Sequence, residues 1–383
     1  MRKPLLLLSL LCAFCFLSPV LAETDEYQEG FLTSYLNRGI EKTMAGSANG
    51  DEELTYGRNI TRYVSAPKFG GYIIGSYSYS SKGTNGFDGR IIRAYVSGTV
   101  LRDFKYRIQL ELKGTPAMRD FVLEWARFKE FQVQIGQFKR CFTYDNPLNP
   151  WDVGLGSYSQ LACYMTALTV EDCNGEAAQN GRDQGLQFQG DLFPVGKDRH
   201  RLLHYQAAVY NGNGQNRGDN NKQKDWMGNI QVQPIKDLYI GLYGWTGTFT
   251  GGNGVSVNRR RWALSGIYEH NDWTARVEYA HHAGRNANDF NVETQAWDEG
   301  SVKADAWYAM IGVPVNAWLK VYGRYDVYRK DATWKTTRSV YSICPNFQLH
   351  RNLLFQLQYN YIHDRSATCH DIHEMWAQTY IRF

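Results

Sequence analysis

Beyond residue 22 the chain has no run of about 18 consecutive apolar residues, and so no segment able to cross a bilayer as an α-helix. It also has little net charge. Lys and Arg number 42 against 38 Asp and Glu, a formal +4 that falls to about +2 once Arg2 and Lys3 leave with a leader. That balance points neither to nucleic acid nor to strong global attraction of anions, so any charge selectivity has to be local. Catalytic patterns are missing as well. Ser157, Ser159 and the nine histidines form no recognisable nucleophile-and-base motif, which places an enzyme last among the readings. No ATP site, energy-coupling box or glycine-rich phosphate loop is expected, and no cofactor. Cys369, His370, Asp371, His373 and Glu374 crowd together but match no standard zinc spacing, and His200 and His204 straddle a turn and a strand; no metal site is expected.

What is present begins with a basic n-region at Arg2 and Lys3, an apolar run from Leu5 to Leu17, and Pro19-Val20-Leu21-Ala22. Residues 1–22 read as a signal peptide. Residues 23–67, acidic at Glu23, Asp25, Glu26, Glu29 and Asp51-Glu-Glu53, read as a periplasmic or lumenal extension. Five cysteines remain after cleavage: Cys141, Cys163, Cys173, Cys344 and Cys369. An odd count in an oxidising compartment leaves one thiol over, and Cys163 with Cys173 could close a small disulfide loop.

Composition favours pleated surfaces: 26 Tyr, 11 Trp and 36 Gly accompany 43% hydrophobic residues and a negative mean hydropathy. In Phe104-Lys-Tyr-Arg-Ile-Gln-Leu-Glu-Leu-Lys113 the apolar residues alternate with charged and polar ones, one face for lipid and one for a wet lumen. The terminal stretch Ala377-Gln-Thr-Tyr-Ile-Arg-Phe383 alternates in the same way and stops on an aromatic residue, the ending of an outer-membrane barrel; Phe383 is the expected signal to the barrel-assembly machinery. Sixteen such segments fall near 68–80, 88–100, 104–113, 120–128, 130–138, 183–192, 202–211, 225–233, 238–248, 259–269, 272–282, 304–313, 316–327, 338–348, 352–363 and 374–383. Connections after even-numbered segments are mostly tiny and those after odd-numbered ones longer. An all-β fold follows, a transmembrane antiparallel β-barrel of sixteen strands over residues 68–383 in the bacterial outer membrane. The longest connection, 139–182, becomes a third extracellular loop folded into the lumen, with a surface lid or adhesive loop as the alternative.

Several short motifs, in order, resemble the phosphate-selective porin O and P family: Ile92-Arg-Ala-Tyr-Val-Ser-Gly98, Gly136-Gln-Phe-Lys-Arg-Cys-Phe142, Gly181-Arg-Asp-Gln-Gly185, Tyr210-Asn-Gly-Asn-Gly214 leading to Asp219-Asn-Asn-Lys-Gln-Lys-Asp225, and the terminal Phe. The resemblance implies a homotrimeric porin in outer-membrane lipid that admits small hydrophilic solutes, anions such as phosphate among them, by passive diffusion. Parity places Arg93, Lys105, Arg107, Lys113, Arg276, Lys320 and Arg324 in the lumen as pore-lining, anion-binding candidates, with Lys139 and Arg140 at the loop root. Glu111, Glu278 and Asp326 share faces with Lys113, Arg276 and Arg324, and that mixing predicts weak selectivity. A general unselective porin, and a closed barrel acting as an adhesin or structural protein, are the alternatives.

Overall fold

The computed structural model describes residues 65–83, 85–298 and 302–383. The leader, and the 23–67 extension up to residue 64, lie outside the described residues. Sixteen antiparallel strands close into a barrel in chain order: β1 (Lys68–Ser80), β2 (Gly86–Val100), β3 (Phe104–Glu111), β4 (Ala117–Trp125), β5 (Gln132–Lys139), β6 (Arg182–Val195), β7 (His200–Tyr210), β8 (Asp225–Val232), β9 (Leu238–Thr250), β10 (Ser256–His270), β11 (Trp273–Ala283), β14 (Lys303–Asn316), β15 (Leu319–Arg329), β16 (Thr337–His350), β17 (Leu353–Asp364) and β18 (Asp371–Arg382). β12 (Phe290–Asn291) and β13 (Ala296–Trp297) form a separate two-stranded ladder between β11 and β14. The seam joins β18 to β1 from Tyr72↔Arg382 to Ser80↔Glu374. Phe383 continues it, donating its N–H to the Gly71 carbonyl and accepting from the Gly71 N–H.

Each strand turns alternate residues outward. β10 is the clearest case: Trp262, Leu264 and Tyr268 are exposed, while Arg259, Arg261, Ala263, Ser265, Ile267 and Glu269 are buried inside. On β3, Ile108 and Leu110 face out and Gln109 and Glu111 face in. Rows of aromatic rings edge the outer surface toward both rims. Tyr325 stacks on Tyr341 at 4.6 Å beside Trp307 and Tyr361; at the other rim Phe131 stacks on Phe188 and Trp318 on Phe347. An apolar band between aromatic rows is the surface that a bilayer requires. The rims differ: 101–103, 271–272, 317–318 and 351–352 join strands at one, and 140–181, 211–224 and 284–302 at the other.

The interior departs from a uniformly polar lining. Residues 140–181, including the short helix α1 (Gln160–Thr166), pack their own apolar side chains against one half of the inner wall. Phe142, Leu155, Leu161 and Met165 meet inward-facing Ala263, Ile267, Ala280, Ala306, Tyr308 and Tyr322 in a dry core. The small alanines let the segment approach the sheet. At the far side of the barrel Trp151 packs among Tyr72, Ile74, Leu354 and Tyr380, so the segment spans the lumen from the β5–β6 wall to the β1–β18 seam.

The disulfide expected between Cys163 and Cys173 is not formed; all five described cysteines are free. Cys163 Sγ contacts Thr169 Oγ1, whereas Cys173 Sγ reaches the Tyr164 carbonyl and the Tyr328 hydroxyl. The helical turn that carries Cys163 aims the two sulfurs at different partners, and burial pushes both thiols up, to about 12 and about 11.

Candidate functional site

The root of the 140–181 segment is closed by Asn146, whose amide donates to the carbonyls of Arg140 and Gly181. Gly181 has φ +63°, and a Cβ there would stand 1.8 Å from Asn146 Oδ1, so only glycine fits. Beside it lies a fully buried charge cluster. Arg140 donates to Glu176 at 2.7 Å and Asp183 at 2.9 Å; Arg259 donates to Glu176 at 2.6 Å and Asp225 at 2.7 Å; Arg261 donates to Asp172 at 2.7 Å. All three guanidinium groups lie within 4.3 to 5.3 Å of the Trp245 ring. Burial pushes Glu176 above the usual carboxylate value against the pull of Arg140 and Arg259, whereas at Asp172 Arg261 and Arg259 outweigh burial and hold the carboxyl down at about 2.

Further along, wall side chains clamp the segment by its backbone. Glu278 accepts from the Tyr144 and Asp145 N–H groups, and Asp326 from the Gln160 N–H. Arg276 donates to the Asp152 and Val153 carbonyls and Arg324 to those of Ser157 and Tyr158. Asp152, half-buried below this row, is pushed up to about 7 by burial, against Arg382 and Arg276.

Two cavities stay open among the described residues: one of about 310 Å³ between the segment and the β11 to β17 wall, with Glu171, Asp172, Asp289 and Asp364 in its lining, and one of about 230 Å³ between the segment and the β2–β6 wall. In the second, the wall contributes Arg90, Arg93, Lys113, Arg119, Lys139 and Arg182, with Glu111 the single carboxylate among the described lining residues. The segment contributes Pro150, Tyr158, Leu168, Thr169 and Asn180, none of them acidic. Most of these cations are engaged: Arg93 with Glu111 at 2.8 Å, Arg182 with Asp120 at 2.8 Å, Arg90 with Gln378 at 2.7 Å, Lys113 with Asp88 at 2.5 Å, and Lys139 with the Asn146 and Leu148 carbonyls. Arg119 is the exception, touching Glu111 only at 3.6 Å and keeping a buried Nε with no hydrogen-bond partner.

The sequence candidates divide accordingly. Arg93, Lys113 and Lys139 line the cavity. Lys105 pairs in register with Glu124, and Arg107 donates to Gln109 and lies over the Tyr95 ring; both sit on β3 toward the 101–103 turn. Lys320 donates to Thr274. Arg140 does not line open space, because Glu176 and Asp183 enclose it completely. Arg276 and Arg324 serve as clamps. So do Glu278 and Asp326, which leaves Glu111 as the one of the three opposing acids that still lines this cavity.

Arg90, Arg119 and Arg182 lie outside the candidate set. Arg90 is the extra residue of a β-bulge between Ile74↔Ile91 and Gly75↔Gly89, and Arg119 of another between Gln109↔Asp120 and Leu110↔Met118. A bulge re-aims the inserted side chain, so strict alternation misassigns it. Arg182 opens β6 opposite Lys139 and sits within the Gly181-Arg motif, a signal that was there to use.

No family model and no curated protein matches the chain, so the resemblance to the phosphate-selective porins rests on the short motifs alone. Solved structures do match. DcaP, an outer-membrane channel of Acinetobacter baumannii, gives a TM-score of 0.59 at 9% identity over 83% of this chain and 97% of its own. OmpF of Salmonella typhi in complex with daunomycin gives 0.58 at 10% over 83% and 97%. OmpT of Vibrio cholerae, in a trimer form, gives 0.56 at 14% over 83% and 99%. At these identities the likeness is one of architecture: the chain has the closed β-barrel fold of outer-membrane porins.

Proposed function

We propose that this protein is a porin of the bacterial outer membrane, a water-filled channel for passive diffusion of small hydrophilic solutes that favours anions, phosphate among them, at its constriction. The carrying observation is Arg119, an under-satisfied guanidinium in a cavity where six cations meet one carboxylate and the facing segment offers no acid. A one-sided positive lining gives a net anion potential, whereas opposed charges would give only a transverse field. The 140–181 segment acts as the constriction because its clamps fix it across the lumen. A homotrimer in outer-membrane lipid, assembled by the barrel machinery through Phe383, accords with the trimeric Vibrio relative in fold.

The test is reconstitution of residues 23–383 into a planar bilayer and the reversal potential in a chloride gradient. Stepwise conductance with an anion-directed potential, reduced in Arg119→Ala, is expected. An unselective pore would favour the general-porin reading, and an inserted but silent barrel the adhesin or structural one.

A further inference from the structure

Resting on the reading of this cavity as an anion constriction, we infer that its preferred passengers are organic monocarboxylates with an apolar body rather than bare inorganic anions. The cavity is two-faced. Its charged side is the β2–β6 wall, where the partly exposed Arg119 has no close acceptor, its nearest carboxylate being Glu111 at 3.6 Å. Its other side is the edge of the loop, where Pro150, Leu168 and the ring of Tyr158 present carbon, joined by Ile91 from β2.

The Tyr158 and Thr169 hydroxyls on that edge are already engaged, and Asn180 adds a single amide. The Tyr158 hydroxyl donates to the Leu148 carbonyl and lies within reach of Lys139 Nζ. A hydrated inorganic anion that moves to Arg119 gives up water along this edge and finds little in return there beyond the Asn180 amide. A carboxylate whose hydrocarbon tail lies on Leu168 and Pro150 gives up only water that was poorly bound to carbon. The cationic wall selects a charged head, and the apolar edge selects what trails behind it. Specificity here is a difference between the two terms, since acetate and phosphate gain the first without the second.

The two bulges make the arrangement possible. They swing Arg90 and Arg119 into the cavity without displacing the alternation of β2 and β4 elsewhere, so the wall supplies cations at a density that plain pairing would not allow.

The experiment is single-channel block of the full mature chain in potassium chloride by acetate, butyrate, hexanoate and inorganic phosphate. The half-blocking concentration is expected to fall about tenfold from acetate to hexanoate, as burial of roughly half the added methylenes implies, and phosphate is expected to behave like acetate. Leu168→Asn should shrink the hexanoate advantage to a few-fold, with heat-resistant gel mobility confirming the folded barrel. A flat chain-length series, or phosphate blocking at lower concentration than hexanoate, in a channel whose chloride reversal potential is anion-directed, overturns this inference and leaves the anion-porin reading standing. A cation-directed reversal potential overturns the reading beneath it.

Discussion

Replacing Arg140 by Met removes one cation from a cluster that holds Arg140, Arg259 and Arg261 against Asp172, Glu176, Asp183 and Asp225, a formal +3 against −4 with no solvent contact at the paired side chains. The variant leaves +2 against −4, and Asp183 keeps only hydrogen bonds from backbone N–H groups such as that of Gly212. Breaking a buried pair from one side costs about 3–5 kcal/mol. The cost falls on the packed state of the 140–181 segment, because Arg140 lies just beyond the end of β5 and its N–H donates to Gly181 at the root of the segment. It shifts the equilibrium between seated and released loop by roughly two to three and a half orders of magnitude. The barrel should still assemble and keep its heat-resistant mobility. Single-channel records should show larger, noisier conductance, and protease added from the long-loop side should cut within 140–181. Adding Glu176→Gln and Asp183→Asn to Arg140→Met should recover part of the quiet behaviour, since it removes the stranded charges. A quiet, protease-resistant Arg140→Met channel would refute the assignment of this cluster as the anchor of the constriction.

Ile108→Arg, on the lipid face of β3, should lower barrel yield in bilayers, as a basic residue at mid-bilayer costs about 2–4 kcal/mol; Arg107→Leu, facing the lumen, should assemble normally, and the reverse pattern in a folding assay would invert the inside and outside assignment. Gly181→Val should loosen the loop root by about 1–3 kcal/mol through a strained positive φ and the clash with Asn146, read as added open-channel noise. Asp152, with a folded pKa of about 7 above its ordinary 3.8, holds its proton more tightly folded than unfolded, so loop stability falls as pH rises from about 4 to about 7; Asp152→Asn should flatten that trend in proteolysis rates measured at pH 5 and pH 8.

The barrel was legible because lipid outside and water inside impose a period of two over many segments, and β10 or β3 can be read from alternation alone. Strand ends moved where turns are loose: β4 begins at Ala117 and β2 at Gly86, each earlier than expected. The constriction was only half legible. Arg93 and Lys113 follow from parity and Lys139 from its place at the loop root, but Arg90 and Arg119 reach the cavity through bulges, and a single inserted residue leaves no mark in a hydrophobic pattern. Parity makes pore charges of Arg276 and Arg324, and the loop root one of Arg140, because neither parity nor position states what a side chain meets. Ala263, Ala280 and Ala306 carried a signal of their own, as small apolar residues on the inward face announce something packed against them.

The dry core inside one half of the barrel divides the inner wall into two regimes of mutational freedom. Inward positions on β10, β11 and β14 answer to a jigsaw: exchanging Ala280 or Ile267 for a larger or polar side chain dislodges a folded segment. Inward positions on β2 to β4 answer instead to paired charges: Arg93 with Glu111 and Asp120 with Arg182 are buried, so a change of charge there has to change both partners. A lineage of such channels can therefore retune what it admits by paired exchanges along one arc of the wall, while the other arc keeps the aperture constant.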